Sequence, residues 1–277
     1  MGQIIIMIMR RYFLILVMPL LLCCCHSEKN YPVADEECML WAEIEGVAYT
    51  TRSQIAPTGI FSWTDDDLIG ICGHTIINQR FHYIGGSSSE NVFSGVFDVL
   101  SDSIRFGYYP YQKDIVIRGD SLHFTIGKEA EFRNDVNYAP MIGFLSGKNT
   151  MLFKQAGGLM RLSFKGFTKE MSKVVVESVG ESRPRLSGNA VMHIGMKSNP
   201  CFRIDTGSYG REFDITFLDK DTSTYKLLVP FQVGEYSMIR VSIVDNNSDT
   251  VISRALSDVV MERAKLIDVE LLDCNDN

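Results

Sequence analysis

The chain has 277 residues, 45% hydrophobic and 22% charged, with a net charge of −7 at pH 7. That length holds two domains of ordinary size. An acidic balance lacks the basic footprint that nucleic acid requires, and beyond the first 25 residues no run is long and apolar enough to span a bilayer.

The chain opens on a leader. Arg10-Arg11 precede an apolar run over residues 12–22, which stops at Cys23-Cys24-Cys25 and gives way at once to His26-Ser27-Glu28-Lys29-Asn30. A basic pair, a short apolar run and an abrupt polar boundary predict a secretory signal segment over residues 1–25. As a helix, that run falls well short of the roughly 30 Å hydrocarbon core. Leu20-Leu21-Leu22-Cys23-Cys24-Cys25 resembles the lipobox of bacterial lipoproteins, which places Leu three residues before the lipid-bearing Cys and a small residue directly before it. Cys25 and Cys24 both meet that pattern, and Cys23, preceded by Leu22, does not. Cys25 is the preferred lipidation site and Cys24 the second. The alternative is an ordinary cleaved signal peptide with incidental cysteines. Setting residues 1–25 aside leaves 252 residues with 25 basic against 34 acidic side chains, a net charge of −9. Four cysteines remain, Cys38, Cys72, Cys201 and Cys274, without C-x-x-C spacing. Disulfides are permitted in an exported chain, and four thiols allow three pairings, but Cys38 and Cys72 lie in apolar, strand-like sequence and read as buried free thiols.

The body of the chain alternates with period 2. Met160, Leu162 and Phe164 share one face and Arg161, Ser163 and Lys165 the other; Phe213, Ile215 and Phe217 repeat the pattern, as do Ile239, Val241 and Ile243. Such runs predict antiparallel strands with one wet face. Turn chemistry separates them at Gly85-Gly86-Ser87, Arg118-Gly119-Asp120, Gly157-Gly158, Asp219-Lys220-Asp221 and Asp245-Asn246-Asn247. The expected fold is therefore all-β, two tandem antiparallel β-sandwich domains. The polar stretch Ser146-Gly147-Lys148-Asn149-Thr150 sets the boundary, giving domains over residues 26–150 and 151–277. One segment competes: Leu256, Val259, Val260 and Arg263 fall at helical spacing, although β-branched Val259-Val260 disfavour a helix.

No catalytic constellation is present. The histidines have no H-E-x-x-H spacing, and there is no G-x-S-x-G or P-loop. No enzyme activity, cofactor or metal site is expected. Asp65-Asp66-Asp67 is a candidate cation cluster, but neighbouring carboxylates point different ways, which favours a solvated turn. Arg118-Gly119-Asp120 reads as a hairpin turn.

Several phrases, in order, resemble the fimbrillin family of Bacteroidota, the type V pilus subunits and their surface relatives. Tyr49-Thr50-Thr51-Arg52 ends the first strand. Phe61-Ser62-Trp63-Thr64-Asp65-Asp66-Asp67-Leu68-Ile69-Gly70-Ile71 resembles the family's W-x-x-x-D-x-I-G-I strand, and Phe106-Gly107-Tyr108-Tyr109-Pro110-Tyr111 its Y-x-x-Y-P-Y phrase. Arg80-Phe81-His82-Tyr83 with Val92-Phe93-Ser94-Gly95 is similar to its hairpin. Met151-Leu152-Phe153-Lys154-Gln155-Ala156-Gly157-Gly158-Leu159-Met160-Arg161-Leu162, Leu186-Ser187-Gly188 and Val229-Pro230-Phe231 follow in place. The resemblance spans about residues 36 to 272 and implies transthyretin-like sandwiches in a lipoprotein of the outer membrane, acting as a structural or adhesive pilus component. It also implies proteolysis after Arg52, loss of the first strand with Cys38, Leu40, Ala42 and Ile44 on its inward face, and refilling of the groove by another subunit's strand. The last strand pattern, Lys265 to Leu272, is followed only by residues 273–277, which suits a tip, anchor or free-standing member better than a stalk subunit, unless Lys265 to Leu272 itself is donated. The expected partners are other pilus subunits by strand exchange, the outer membrane through the lipid, and host or bacterial surface ligands. The alternative is a surface lipoprotein that binds glycan or host protein without polymerising. Asp102-Ser103-Ile104, Asp120-Ser121-Leu122 and Asp249-Thr250-Val251 resemble the Bacteroidota O-glycosylation motif, making Ser103, Ser121 and Thr250 candidate acceptors.

Overall fold

A computed structural model describes residues 37–45, 63–85, 91–97, 102–132, 139–166, 168, 171–207, 210–217, 224–269 and 272–274. The expected lipidation sites Cys24 and Cys25 and the expected cut site Arg52 lie outside these residues. Among the described residues every regular element is a strand. Residues Glu37 to Asn277 form one compact unit.

The first half contributes β1 (Glu37–Ile44), β2 (Leu68–Cys72), β3 (Gln79–Gly85), β4 (Val92–Val96), β5 (Phe106–Tyr109), β6 (Val116–Arg118), β7 (Ser121–Ile126), β8 (Glu129–Phe132), β9 (Met141–Leu145) and β10 (Thr150–Gln155). The second contributes β11 (Gly158–Lys165), β12 (Met171–Val179), β13 (Gly188–His193), β14 (Phe202–Ile204), β15 (Glu212–Phe217), β16 (Thr224–Phe231), β17 (Gly234–Asp245), β18 (Thr250–Met261), β19 (Leu266–Asp268) and β20 (Leu272–Asp273). Seven strands close into a barrel in the order β1-β10-β9-β5-β2-β3-β4. The remainder form three sheets: β16-β11-β19 with β20 also on β11, β18-β17-β12-β15-β8, and β14-β13-β7-β6.

Two expectations change. The ladders are not all antiparallel: β1 runs parallel to β10, β11 to β19 and β20, and β15 to β8. Residue 150 is also not a sheet boundary. Residues 146–150 are the turn of the β9–β10 hairpin, closed by the Ser146 amide donating to the Thr150 carbonyl at 2.9 Å. β10 completes the barrel, while β7 and β8 pair with β13 and β15 from the second half. A polar turn looks the same in sequence whether it joins two strands of one sheet or two domains.

Two cores result. Inside the barrel, Leu40, Ile69, Phe81, Phe93, Met151 and Phe153 surround Trp63, whose ring meets Phe93, Tyr109 and Phe153 edge-on at 4.9, 5.2 and 5.3 Å. The second core joins Met160, Leu162, Phe164, Val174, Val176, Ile239, Val241 and Ile243 with the outward side chains of the barrel wall, Cys72, Phe106, Tyr108 and Ile142. β5 and most of β2 and β9 are buried on both faces. Their sequences consequently lack the alternation of the half-wet strands.

The motif phrases interlock at this wall. Gly70 on β2 faces the Tyr108 ring so closely that an added Cβ would lie 2.0 Å from it. Tyr109 points the other way and donates to Asp67 at 2.7 Å. Pro110 follows directly after β5, at a strand end as its missing N–H requires. Gly107 and Gly143 leave room for the Met151 side chain inside the barrel. Gly119 takes φ +57° in the two-residue β6–β7 hairpin, the turn expected for Arg118-Gly119-Asp120.

The segment with helical spacing is a strand, β18, paired with β17 along most of its length. Asp258 has φ +53°. Leu256, on the near side of it, packs against the core, and Val259 and Met261 are buried beyond it. One left-handed residue reverses the pleat, so inward residues stand three apart without a helix.

Candidate strand-exchange site

β1 is the stave that closes the barrel. Leu40, Ala42 and Ile44 are buried in the barrel core, and Cys38 is half-buried against it, on the inward face expected from sequence. Met39, Trp41 and Glu43 alternate with them. One edge of β1 pairs antiparallel with β4, from Glu37 opposite Val96 to Trp41 opposite Val92. The other pairs parallel with β10, from Trp41 opposite Thr150 to Ile44 opposite Phe153. The Ala42 amide donates to the Asn91 carbonyl and the Trp41 amide to the Asn149 carbonyl, each at 2.8 Å, so neighbouring residues bind opposite sides.

Charged groups fix both ends. At the start, the Ser94 hydroxyl donates to the Glu37 carboxylate. At the finish, the Glu45 amide donates to the Phe153 carbonyl at 2.8 Å, and the Glu45 carboxylate meets Arg263 at 2.5 Å and Lys154 at 3.5 Å. Burial acts to raise the Glu45 pKa, but the Arg263 guanidinium and the Lys154 ammonium outweigh it and hold the carboxyl below its ordinary value. Arg263 also donates to Asn199 at 2.8 Å and to the Gln155 carbonyl at 3.2 Å. Sequence reasoning missed this cluster. Glu45 and Arg263 are 218 residues apart, and nothing local marks either.

The other sequence candidates do not converge on this site. Ser103 and Thr250 are exposed, and Ser121 is half-buried with its hydroxyl 3.2 Å from His193 Nδ1. Asp102, beside Ser103, accepts from the amides of His74, Thr75, Ile76 and Ser103 at 2.7 to 3.0 Å and from the Thr75 hydroxyl at 3.1 Å. The Ile76 amide is the largest influence, and together these amides hold the Asp102 carboxyl far below the ordinary carboxylate range. Asp65 and Asp66 are exposed while Asp67 turns inward to Tyr109 and the Thr64 amide, so the three carboxylates face different ways. Cys38, Cys72, Cys201 and Cys274 are free, and burial pushes the Cys72 thiol up to about 11.

No family model matches the sequence, and no curated protein matches it. Solved structures do. A candidate cell adhesion protein of Bacteroides ovatus superposes with a TM-score of 0.50 at 16% identity, over 85% of this chain and 92% of that one. A fimbrial protein of the same species gives 0.36 at 14% identity, over 86% of this chain and 50% of that one. A candidate cell adhesion protein of Bacteroides fragilis gives 0.37 at 8% identity, over 83% and 91%. The structural neighbours are thus Bacteroides adhesion and fimbrial proteins, and the first of them shares the fold.

Proposed function

We propose that this chain is a surface-exposed fimbrial or adhesive lipoprotein, anchored in the outer membrane through lipid on Cys25 or Cys24, which joins other subunits by exchanging its first strand. The observation that carries this reading is the place of β1 in the barrel. It is a single stave held between β4 and β10, with Leu40, Ala42 and Ile44 buried in the barrel core and Cys38 half-buried against it. Removing it would leave a slot with a row of unpaired backbone groups on each side and an apolar floor, which is what an incoming strand needs. Arg52 stands seven residues beyond Glu45, where proteolysis would free the strand. Tip, anchor and minor-subunit roles fit this reading, and no catalytic step belongs to it. The test is Arg52→Ala in the native organism. Loss of the shortened form and of surface filaments supports the proposal; unchanged processing and filaments refute it.

One observation favours a free-standing binding protein instead. Met39 and Val96 are largely exposed at 46% and 44%, on the outer face of β1 and β4 beside Trp41. Binding to a glycan array that Trp41→Ala abolishes, with filaments unaffected by deletion of the gene, would establish that role.

A further inference from the structure

We infer that the β1 slot selects its incoming strand by an acidic residue placed directly after the last inward position, read by Arg263 and Lys154. The inference rests on the strand-exchange reading and names the partner's chemistry.

Two features of the slot impose a pattern. Along its floor, Leu40, Ala42 and Ile44 are each buried, at 1%, 2% and 9% exposure, so large, small and large apolar residues must alternate there. At its far end stand two cations, with side chains only 20% and 19% exposed. Arg263 is held in place by Asn199 and the Gln155 carbonyl, neither of which belongs to β1. The guanidinium therefore remains aimed at this spot when the strand leaves. With Glu45 gone, two half-buried positive charges lack their shared counterion, which raises the cost of an empty slot or one filled by a neutral strand. The Glu45 amide bond to Phe153 fixes the register that brings a carboxylate to them. The partner is thus an extended strand of the form large apolar, any, small, any, large apolar, acid. A strand offset by one residue would turn its apolar set outward and also misplace the acid.

The test uses the full chain with a site-specific protease sequence inserted between Glu45 and Trp63. After cutting, a fluorescent peptide with the sequence of residues 37–45 is offered, alongside the same peptide carrying Glu45→Gln. The inference predicts binding of the first about tenfold or more tighter than the second, the ratio for roughly 1.4 kcal/mol. It also predicts loss of that preference in Arg263→Gln, and preference for a Glu45→Arg peptide in Arg263→Glu. Equal binding of the two peptides, or a preference that survives Arg263→Gln, would overturn the charge reading while leaving strand exchange intact. If neither peptide enters and the cut fragment stays bound, strand exchange itself fails and the selectivity with it. Un-nicked Arg263→Gln, followed by thermal unfolding, separates lost selectivity from lost folding.

Discussion

Gly70 shows how tightly one residue can be specified. Its hydrogen faces the Tyr108 ring across the barrel wall, where a methyl would overlap the ring at 2.0 Å. Gly70→Ala is expected to cost about 1–3 kcal/mol in chemical denaturation, because the ring is packed in the second core and has nowhere to retreat. Asp102 is specified electrostatically. Its folded pKa is depressed, so its stabilising effect is present above the ordinary carboxylate value of about 3.9 and is lost as pH falls below it. Asp102→Asn places an NH₂ against amides that need an acceptor. The variant should melt at a lower temperature near neutrality, and its melting temperature should fall less steeply than that of the unaltered chain below about pH 4. The sequence signalled Asp102 only as a neighbour of Ser103. It could not show that residues 74–76 fold back to it, because amide donors leave no trace in residue type.

At the scale of elements, β18 is the instructive case. Its residues Leu256 and Val259 are three apart, as on a helix, yet Asp258 alone produces that spacing by reversing the pleat. Asp258→Val would raise strand propensity and still is expected to destabilise by roughly 1–2 kcal/mol, since a β-branched residue strongly disfavours φ +53°. Equilibrium unfolding in urea measures it. The alternation of β11, β15 and β17 was readable because polar side chains separate their inward apolar ones, whereas the inward set Cys38, Leu40, Ala42 and Ile44 of β1 came from the resemblance. The parallel pairing of β1 with β10 was not readable. Alternation tells which face is buried and says nothing about the direction of the neighbour, which depends on residues about 110 positions away. A still longer separation, 218 residues, hid the Glu45–Arg263 contact, on which the inferred selectivity of the site rests.

For the molecule as a whole, the interlocked sheets bear on cooperativity. Cys72, Phe106, Tyr108 and Ile142 belong to barrel strands and lie in the other core. Ile142→Ala should therefore cost about 2–5 kcal/mol and lower the stability of both parts. Both tryptophans, Trp41 and Trp63, report on the barrel. Their fluorescence and the far-ultraviolet circular dichroism of the whole chain should change at one denaturant midpoint, and Ile142→Ala should move the two together. Separate midpoints would mean that the barrel unfolds independently of the sheets behind it.

The placement of β1 also has a mechanical consequence. Its hydrogen bonds to β4 and β10 lie across its length, on both sides. Tension entering at Glu37 and directed along the strand must shear both ladders at once rather than peel them bond by bond. In the proposed role, the stave that a single peptide-bond cut would free is thus, while the chain is whole, arranged to resist being pulled out, so that a tethered subunit would bear load and yet remain exchangeable.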